Sequence, residues 1–305
     1  MKTLALATDA ISLPNDFDMS LLLAACQSLG LAAEVCAWDD PAINWSRYDH
    51  VVLRSTWDYT ERLPEFLAWC ERISAVSHLV NPLPVMRWAL DKHYLADLAA
   101  NGVSVVPSRF IEPTTLPLPA LQEFLASHPQ VVEIVVKPTV GAYSKDVKRY
   151  ARAQESQAIE HIAHLLGKGC SVILQPYLAS IDRDGETNLI YFDGIYSHAI
   201  RKGALLMQDG TVNVPTFDFR SARVADEEER AVALAAIDAT RIHLGLTQSL
   251  TYARIDLIRD DDGKPQVLEL EICEPSLSLP LAEGSAIRFA QVLADLPTPP
   301  GTSTR

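Results

Sequence analysis

The sequence predicts an α/β chain in which a small open parallel sheet is followed by antiparallel α+β segments, and three observations carry that prediction. Strand-like and helix-like runs alternate through the first 53 residues, and apolar runs joined by Asp-Gly turns recur in the second half. A chain of 305 residues is also long enough for two or three domains and a sizeable core.

Composition excludes several classes of function. Apolar residues make up 48% of the chain, yet no apolar run reaches the roughly 20 residues of a membrane-spanning helix. Met1-Lys2 leads straight into a strand-like segment without a basic leader and apolar core, so a cytoplasmic protein with no membrane partner is expected. The net charge of -13 argues against a nucleic-acid partner, because phosphate backbones need a basic surface, although a few lysines aimed at one triphosphate suffice in an acidic molecule. Cys26, Cys36, Cys70, Cys170 and Cys273 are odd in number and show no C-x-x-C spacing, which predicts reduced, mostly buried thiols. Nothing in the residues decides assembly, and a homo-oligomer is compatible with them.

Taken in order, Thr3 to Ala7 reads as a buried strand and Met19 to Leu29 as a helix stopped by Gly30. Ala32 to Trp38 and His50 to Leu53 read as further strands. No G-x-G-x-x-G follows, so no dinucleotide site is expected. Arg54-Ser55-Thr56-Trp57-Asp58-Tyr59 lies beyond Leu53, where parallel sheets place ligands; Arg54 suits a carboxylate and Asp58 an amine. The competing expectation is a surface loop whose Trp57 and Tyr59 cap the sheet edge. Asn81-Pro82-Leu83-Pro84 breaks the chain before a helix from Val85 to Ala100, with Lys92 early in it, and a strand from Val103 to Ile111.

A loop from Pro113 to Pro119 and a helix to about Ser127 precede Val131 to Pro138, a buried strand whose terminal Lys137 should point its charge into a cleft. Thr139 to Val147 turns, and the chain returns as strand Val147 to Tyr150. Gln154 to Leu166 is an amphipathic helix carrying His161 and His164 one turn apart, a solvated face or, less simply, a metal pair. Strand Ser171 to Gln175 bends at Pro176-Tyr177-Leu178, where the amide of Leu178 is the natural donor. Gly185 to Phe192 and Ile195 to Lys202 form a hairpin about Asp193-Gly194, and Asp209-Gly210 marks another turn. Arg220 and Arg223 follow as candidate substrate anchors. Asp226 to Glu229 opens a helix running to Leu244, Ala282 to Leu293 is a last helix, and Pro297 to Arg305 is a frayed tail.

The most informative stretch is Thr251 to Leu279, TYARIDLIRDDDGKPQVLELEICEPSLSL. Ala253 to Ile258 and Gln266 to Ile272 flank Asp261-Asp262-Gly263, a hairpin signal. Alternation puts Arg254 and Asp256 on one face and Glu269 and Glu271 on one face of the partner strand, so three carboxylates and a guanidinium converge. Such carboxylates resist ionising together unless a cation holds them, and hard oxygens on rigid strands suit Mg²⁺. The alternative is a solvated polar face, against which Glu274-Pro275-Ser276 keeps adding polar groups just beyond.

Arg-x-Asp at 254 to 256, a Glu thirteen residues after that Asp, and Glu-x-Glu at 269 to 271 resemble the metal site of ATP-grasp carboxylate-amine ligases. Residues 85 to 290 carry the resemblance, which implies an ATP-grasp fold behind a Rossmann-like N-terminal domain, divided as 1–84, 85–178 and 179–298. It also implies ATP and Mg²⁺ as cofactors, with Asp256, Glu269 and Glu271 on the metal; Glu271 departs from the Asn more usual there. Lys92, Lys137 and Lys145 would meet the phosphates, Gln175, Pro176, Tyr177 and Leu178 the adenine, and Glu186 the ribose. Arg254, Lys137 and Lys145 would be catalytic. An amino-acid-like substrate would meet Arg54, Trp57, Asp58, Arg201, Lys202, Arg220, Glu274 and Ser276. In the family a glycine-rich loop closes over the phosphates, whereas only Gly141 remains here, with Ser144 and Lys145 in place of glycines. R-S-T-W-D-Y, N-P-L-P-V-M-R-W-A-L-D-K and L-E-L-E-I-C-E-P-S are similar to cyclo-ligases within the family, which implies ring closure on one substrate. A ligase joining a carboxylate to a separate amine, and a nucleotide-binding module without chemistry, are the alternatives.

Overall fold

The structure is a computed structural model that describes residues 1–207, 210–213 and 216–297. Asp209 of the expected Asp-Gly turn, and the expected tail beyond Pro297, lie outside the described residues.

The first sheet is parallel. β1 (Thr3–Thr8), β2 (Ala32–Ala37), β3 (His50–Leu53) and β4 (His78–Leu79) run in the order β2-β1-β3-β4, with α1 (Met19–Ser28) between β1 and β2 and α2 (Leu63–Ser74) before β4. Short apolar runs buried on both faces suit such a sheet. The single helix expected from Val85 to Ala100 is two, α3 (Leu83–Ala89) and α4 (Tyr94–Ala100). Between them the Lys92 amide donates to the Thr139 carbonyl at 2.9 Å and the His93 amide to the Asp91 carboxylate at 3.1 Å. The helix therefore stops where its amides find partners elsewhere, and Lys92 sits in the break rather than on a helix face.

The middle sheet is antiparallel. β5 (Arg109–Ile111), α5 (Pro117–Ser127), β6 (Glu133–Pro138), β7 (Lys148–Ala151), α6 (Glu155–Gly167) and β8 (Val172–Pro176) arrange their strands as β5-β8-β6-β7. The strand expected from Val103 shrinks to three residues because Pro107 cannot donate to a ladder; Val105 makes one isolated bridge to Val267 instead. His161 turns inward on α6 against the Tyr150 ring.

The last sheet follows α7 (Ser180–Asp184) and is again antiparallel. It comprises β9 (Glu186–Phe192), β10 (Ile195–Lys202), β11 (Arg220–Arg223), β12 (Tyr252–Arg259) and β13 (Pro265–Glu271) in the order β11-β10-β9-β12-β13. The polar segment at Arg220 is thus an edge strand. α8 (Glu227–His243) packs on this sheet and opens with a reciprocal cap between Asp226 and Glu229, which accounts structurally for the acidic run. α9 (Ser285–Asp295) closes the described chain against α1.

Among the described residues three apolar clusters hold these layers. The middle unit has its own, built from Ile111, Phe124, Ile134, Val136, Ile162 and Leu174. The first and last sheets share the other two: Leu4, Leu6 and Met19 pack with Phe192, Tyr252 and Phe289, and Leu53, Phe66 and Trp69 belong with Ile255 and Leu270 to one apolar cluster.

Candidate active site

Strand alternation lays out the floor of a cleft between the middle and last sheets. β9 contributes Glu186 and Asn188, β10 Lys202, β12 Arg254, and β13 Glu269 and Glu271, with Asp256 buried on the same face of β12, while Leu189, Ile255 and Leu270 of these strands enter the core. Register pairs Glu271 with Arg254, Glu269 with Asp256, Asn188 with Asp256 and Glu186 with Lys202. Across the cleft, β6 alternates Ile134 and Val136 into its core and Val135 and Lys137 into the cavity, whose volume is about 730 Å³.

The charges on this floor meet one another. Arg254 donates to both oxygens of Asp256 at 2.8 Å, forms an ion pair with Glu271 at 2.5 Å and donates to the Ser276 carbonyl at 3.0 Å. Lys137 donates to Glu269 at 2.9 Å, Lys92 stands 3.9 Å from the same carboxylate, and Lys202 donates to Glu186 at 3.0 Å. Burial alone would push Glu269 up, but Lys137 and Lys92 hold it well below the usual carboxylate range. Burial pushes Glu271 up despite Arg254, and Glu186 up despite Lys202. Part of the carboxylate repulsion expected from the sequence is thus met by the protein's own cations.

Oxygens of Asp256, Glu269 and Glu271 lie within 4.8 Å of one another, and among the described residues this is the one group of three or more acidic, His or Cys side chains so placed. All three are hard oxygen donors on paired strands, a set that fits Mg²⁺ and fits Zn²⁺ less well.

Arg220 reaches the cavity from the edge strand β11 and donates to the hydroxyls of Ser276 at 2.6 Å and Ser278 at 3.1 Å. Among the described residues no carboxylate forms an ion pair with it, and burial together with Arg254 lowers its pKa. The loop that presents those serines is held from behind. Asp18, fully buried, accepts the amides of Leu277, Ser278 and Leu279 at 2.6, 3.1 and 2.7 Å. Glu274, beside this loop, is pushed up to about 7 by burial and by Glu271.

At the other end Gln175, Pro176, Tyr177 and Leu178 line the cavity where β8 ends. Pro176 has no N–H and the Tyr177 amide donates to the Glu133 carbonyl at 2.8 Å, whereas the Leu178 amide has no acceptor among the described residues. The loop between β6 and β7 holds Tyr143, Ser144 and Asp146 at φ 55°, 54° and 57°. Non-glycine residues thus adopt the left-handed backbone that glycines would supply, at roughly 1–2 kcal/mol each. Tyr143 stacks edge-on against Trp57, with ring centroids 4.8 Å apart, and Lys145 pairs with Glu61.

Several residues expected at the site stand apart from it. Arg54 is 1% exposed and donates to the Pro275 carbonyl at 2.7 Å with Asp18 at 3.7 Å, so it supports the serine loop rather than facing the cavity. Asp58 accepts from the Trp38 indole at 2.8 Å and from Arg62 at 3.1 Å. Arg201 donates to the carbonyls of Asp184 and Arg183 at 2.7 and 3.3 Å. Each makes its hydrogen bonds to protein groups, although the buried Nε of Arg54 has no partner among the described residues. Trp57 does line the cavity, its indole donating to the Glu274 carbonyl at 2.9 Å. Lys145 lines it too, although its ammonium turns outward to Glu61. Sequence reasoning passed over Asn188, which stands two residues beyond Glu186 and so shares its face; alternation alone would have found it. It also missed Asp18 and Ser278, whose roles come from partners distant in the chain.

With this geometry established, comparisons with known proteins converge on one family. A family profile described as the N-terminal domain of D-cycloserine synthetase DcsG matches residues 4–81. The chain is similar to the cycloserine biosynthesis protein DcsG of Streptomyces lavendulae, 57% identical over 295 residues that cover 97% of this chain and 99% of that protein. The crystal structure of D-cycloserine synthetase DcsG superposes with a TM-score of 0.94 at 57% identity, covering 96% of this chain and 98% of the other. At the level of fold, the D-alanine–D-alanine ligase of Bacillus anthracis, solved with ATP, matches with a TM-score of 0.67 at 16% identity over 96% of this chain and 95% of that one. The ATP-grasp fold anticipated from the sequence is the fold present.

Proposed function

The chain belongs to the family of D-cycloserine synthetase DcsG, within the ATP-grasp ligases, and on that premise we propose that it is a cyclo-ligase converting O-ureido-D-serine to D-cycloserine. It is an ATP-dependent ligase that forms a carbon–nitrogen bond. The substrate carboxylate attacks the γ-phosphorus of ATP, giving an acyl phosphate and ADP. The nitrogen bonded to oxygen in the same substrate then attacks the acyl carbon, closes a five-membered ring and expels phosphate. One water is taken up as the carbamoyl group leaves as CO₂ and ammonia. Internal attack needs a single substrate held folded, and proximity lowers the barrier by several kcal/mol, roughly up to 7–11 in the best cases.

The observation that carries this reading is the contrast among the cations of the cleft. Lys92, Lys137, Lys202 and Arg254 each face a carboxylate of the protein, whereas among the described residues Arg220 pairs with serine hydroxyls and no carboxylate. A half-buried guanidinium with no ion-paired carboxylate among the described residues suits the carboxylate of a small substrate, with Trp57, Lys202, Glu274 and Ser276 lining the same cavity. Asp256, Glu269 and Glu271 would hold Mg²⁺, which when bound neutralises charge between adjacent phosphates. Lys92 and Lys137 neutralise the remainder, joined by Lys145 once it leaves Glu61, while Glu186 takes the ribose and the Leu178 amide the adenine edge. Arg254, fixed by two carboxylates, stabilises charge developing on the transferred phosphoryl group and the acyl oxygen. The same reading divides the chain into 1–84, 85–178 and 179–298, with the nucleotide between the second and third units.

The test is direct. Purified protein with ATP, Mg²⁺ and O-ureido-D-serine should release ADP and yield the mass of D-cycloserine, with the L-isomer and D-serine as controls. A product mass equal to substrate plus an added amine would replace cyclisation with intermolecular ligation. No ADP with any carboxylate would leave a nucleotide-binding module.

A further inference from the structure

One buried polar group of the cleft has no partner among the described residues. Asn188 on β9 is 1% exposed, lines the cavity, and its Oδ1 accepts no hydrogen bond from any of them. It stands directly across the ladder from Asp256, so the two backbones are roughly 4.5–5.5 Å apart. Asp256 cannot satisfy it, since a carboxylate is an acceptor as well and both its oxygens already take N–H groups of Arg254. A buried carbonyl left unpaired loses its hydration without replacement, which is a reason to expect its partner from outside the chain. The group beside it is the set of three carboxylates whose oxygens lie within 4.8 Å.

We propose that Asn188 supplies a neutral amide oxygen to the divalent cation held by Asp256, Glu269 and Glu271. This rests on the reading of those three as a cation site. An amide oxygen is a hard donor of the kind Mg²⁺ and Ca²⁺ sites use. It adds coordination without adding charge to a floor where Arg254, Lys137 and Lys92 already stand against the three acids. In this role Asn188 is a metal-positioning residue: it fixes where the cation sits relative to Asp256, and so where the phosphates lie.

The probe is Mn²⁺ in the presence of saturating ADP, with the free ion followed by its paramagnetic resonance signal. Wild-type protein should bind Mn²⁺ more tightly than ADP alone does. Asn188→Leu, similar in volume but without the oxygen, should weaken that site about 10- to 100-fold, and Asn188→Asp, which keeps an oxygen, should bind at least as tightly as wild type. ADP affinity in EDTA should be the same in all three. If wild type adds nothing to the Mn²⁺ affinity of ADP, the carboxylate cluster is no cation site and the underlying reading falls with the inference. If wild type binds and Asn188→Leu binds equally well, the inference alone is overturned. Should the leucine variant not fold, Asn188→Ala gives the same comparison.

Discussion

Arg54 and Arg254 are both buried arginines on the approach to one cleft, and they illustrate two uses of a guanidinium. Arg54 is enclosed by the Pro275 carbonyl, by Asp18 and by the rings of Tyr252 and Phe289, 5.9 and 5.8 Å away. Arg254 is gripped by Asp256 and Glu271, and it lines an open cavity together with Glu271. The first can only hold a loop in place, because everything it binds is protein and nothing can displace it. The second sits among groups that a cation or a phosphate can engage, so its pairing can be rearranged when a ligand arrives. A charged residue at a strand end is therefore a site only when its partners face a cavity.

The largest effect that would sharpen this contrast is expected at the floor. Lys137→Ala and Glu269→Ala should each abolish ADP release, a loss of roughly a thousandfold or more, while circular dichroism shows the fold retained. Normal turnover in either would remove the floor from the mechanism. The next test sets the two regions against each other. Arg54→Met breaks a buried pair, worth roughly 3–5 kcal/mol, and should lower Tm by several degrees with the KM for the amino-acid substrate unchanged. Arg220→Met should raise that KM roughly 10- to 100-fold and leave Tm nearly as it was; exchanged outcomes would break the contrast. Lys145→Ala should act more weakly, raising the KM for ATP by about tenfold or less, since its pair with Glu61 is exposed and screened by solvent. The smallest effect concerns pH. Glu274 is raised from 4.5 to about 7, so its neutral form favours the folded state. That contribution is fully present below 4.5 and is lost as pH rises through 7. Thermal unfolding of Glu274→Gln between about pH 5 and 8 should show a flatter profile than wild type, and an unchanged slope would assign the carboxyl an ordinary pKa.

How much could be read from the residues follows from how far each signal reaches. Alternation is local, so the faces of β9, β12 and β13, with Arg254, Asp256, Glu269 and Glu271 on one side, were legible from the chain alone. The turns at Asp193-Gly194 and Asp261-Asp262-Gly263 were legible too, because their glycines hold φ 73° and 78°. Burial by distant partners was not legible. Nothing near Arg54 in sequence announces Pro275, and nothing near Asp18 announces the amides of Leu277 to Leu279. The break at Lys92 was hidden for the same reason, since the acceptor that ends the helix is the Thr139 carbonyl. In the loop between β6 and β7 Gly141 is the one glycine, and the left-handed backbone at Tyr143 and Ser144 cannot be read from residue types that seldom adopt it.

The shared cores of the first and last sheets have a consequence for how the molecule is made. Lys2 donates to the carbonyls of Leu293, Ala294 and Leu296, Asn81 ties to the backbone at Thr251, Tyr252 and Ile272, and α1 lies against α9. While the ribosome is still adding the middle unit, Leu4, Leu6 and Met19 have emerged but Phe192, Tyr252 and Phe289, which cover them, have not. The nascent chain carries that apolar face incompletely covered until α9 is made, so truncation before α9 should leave it exposed to aggregation.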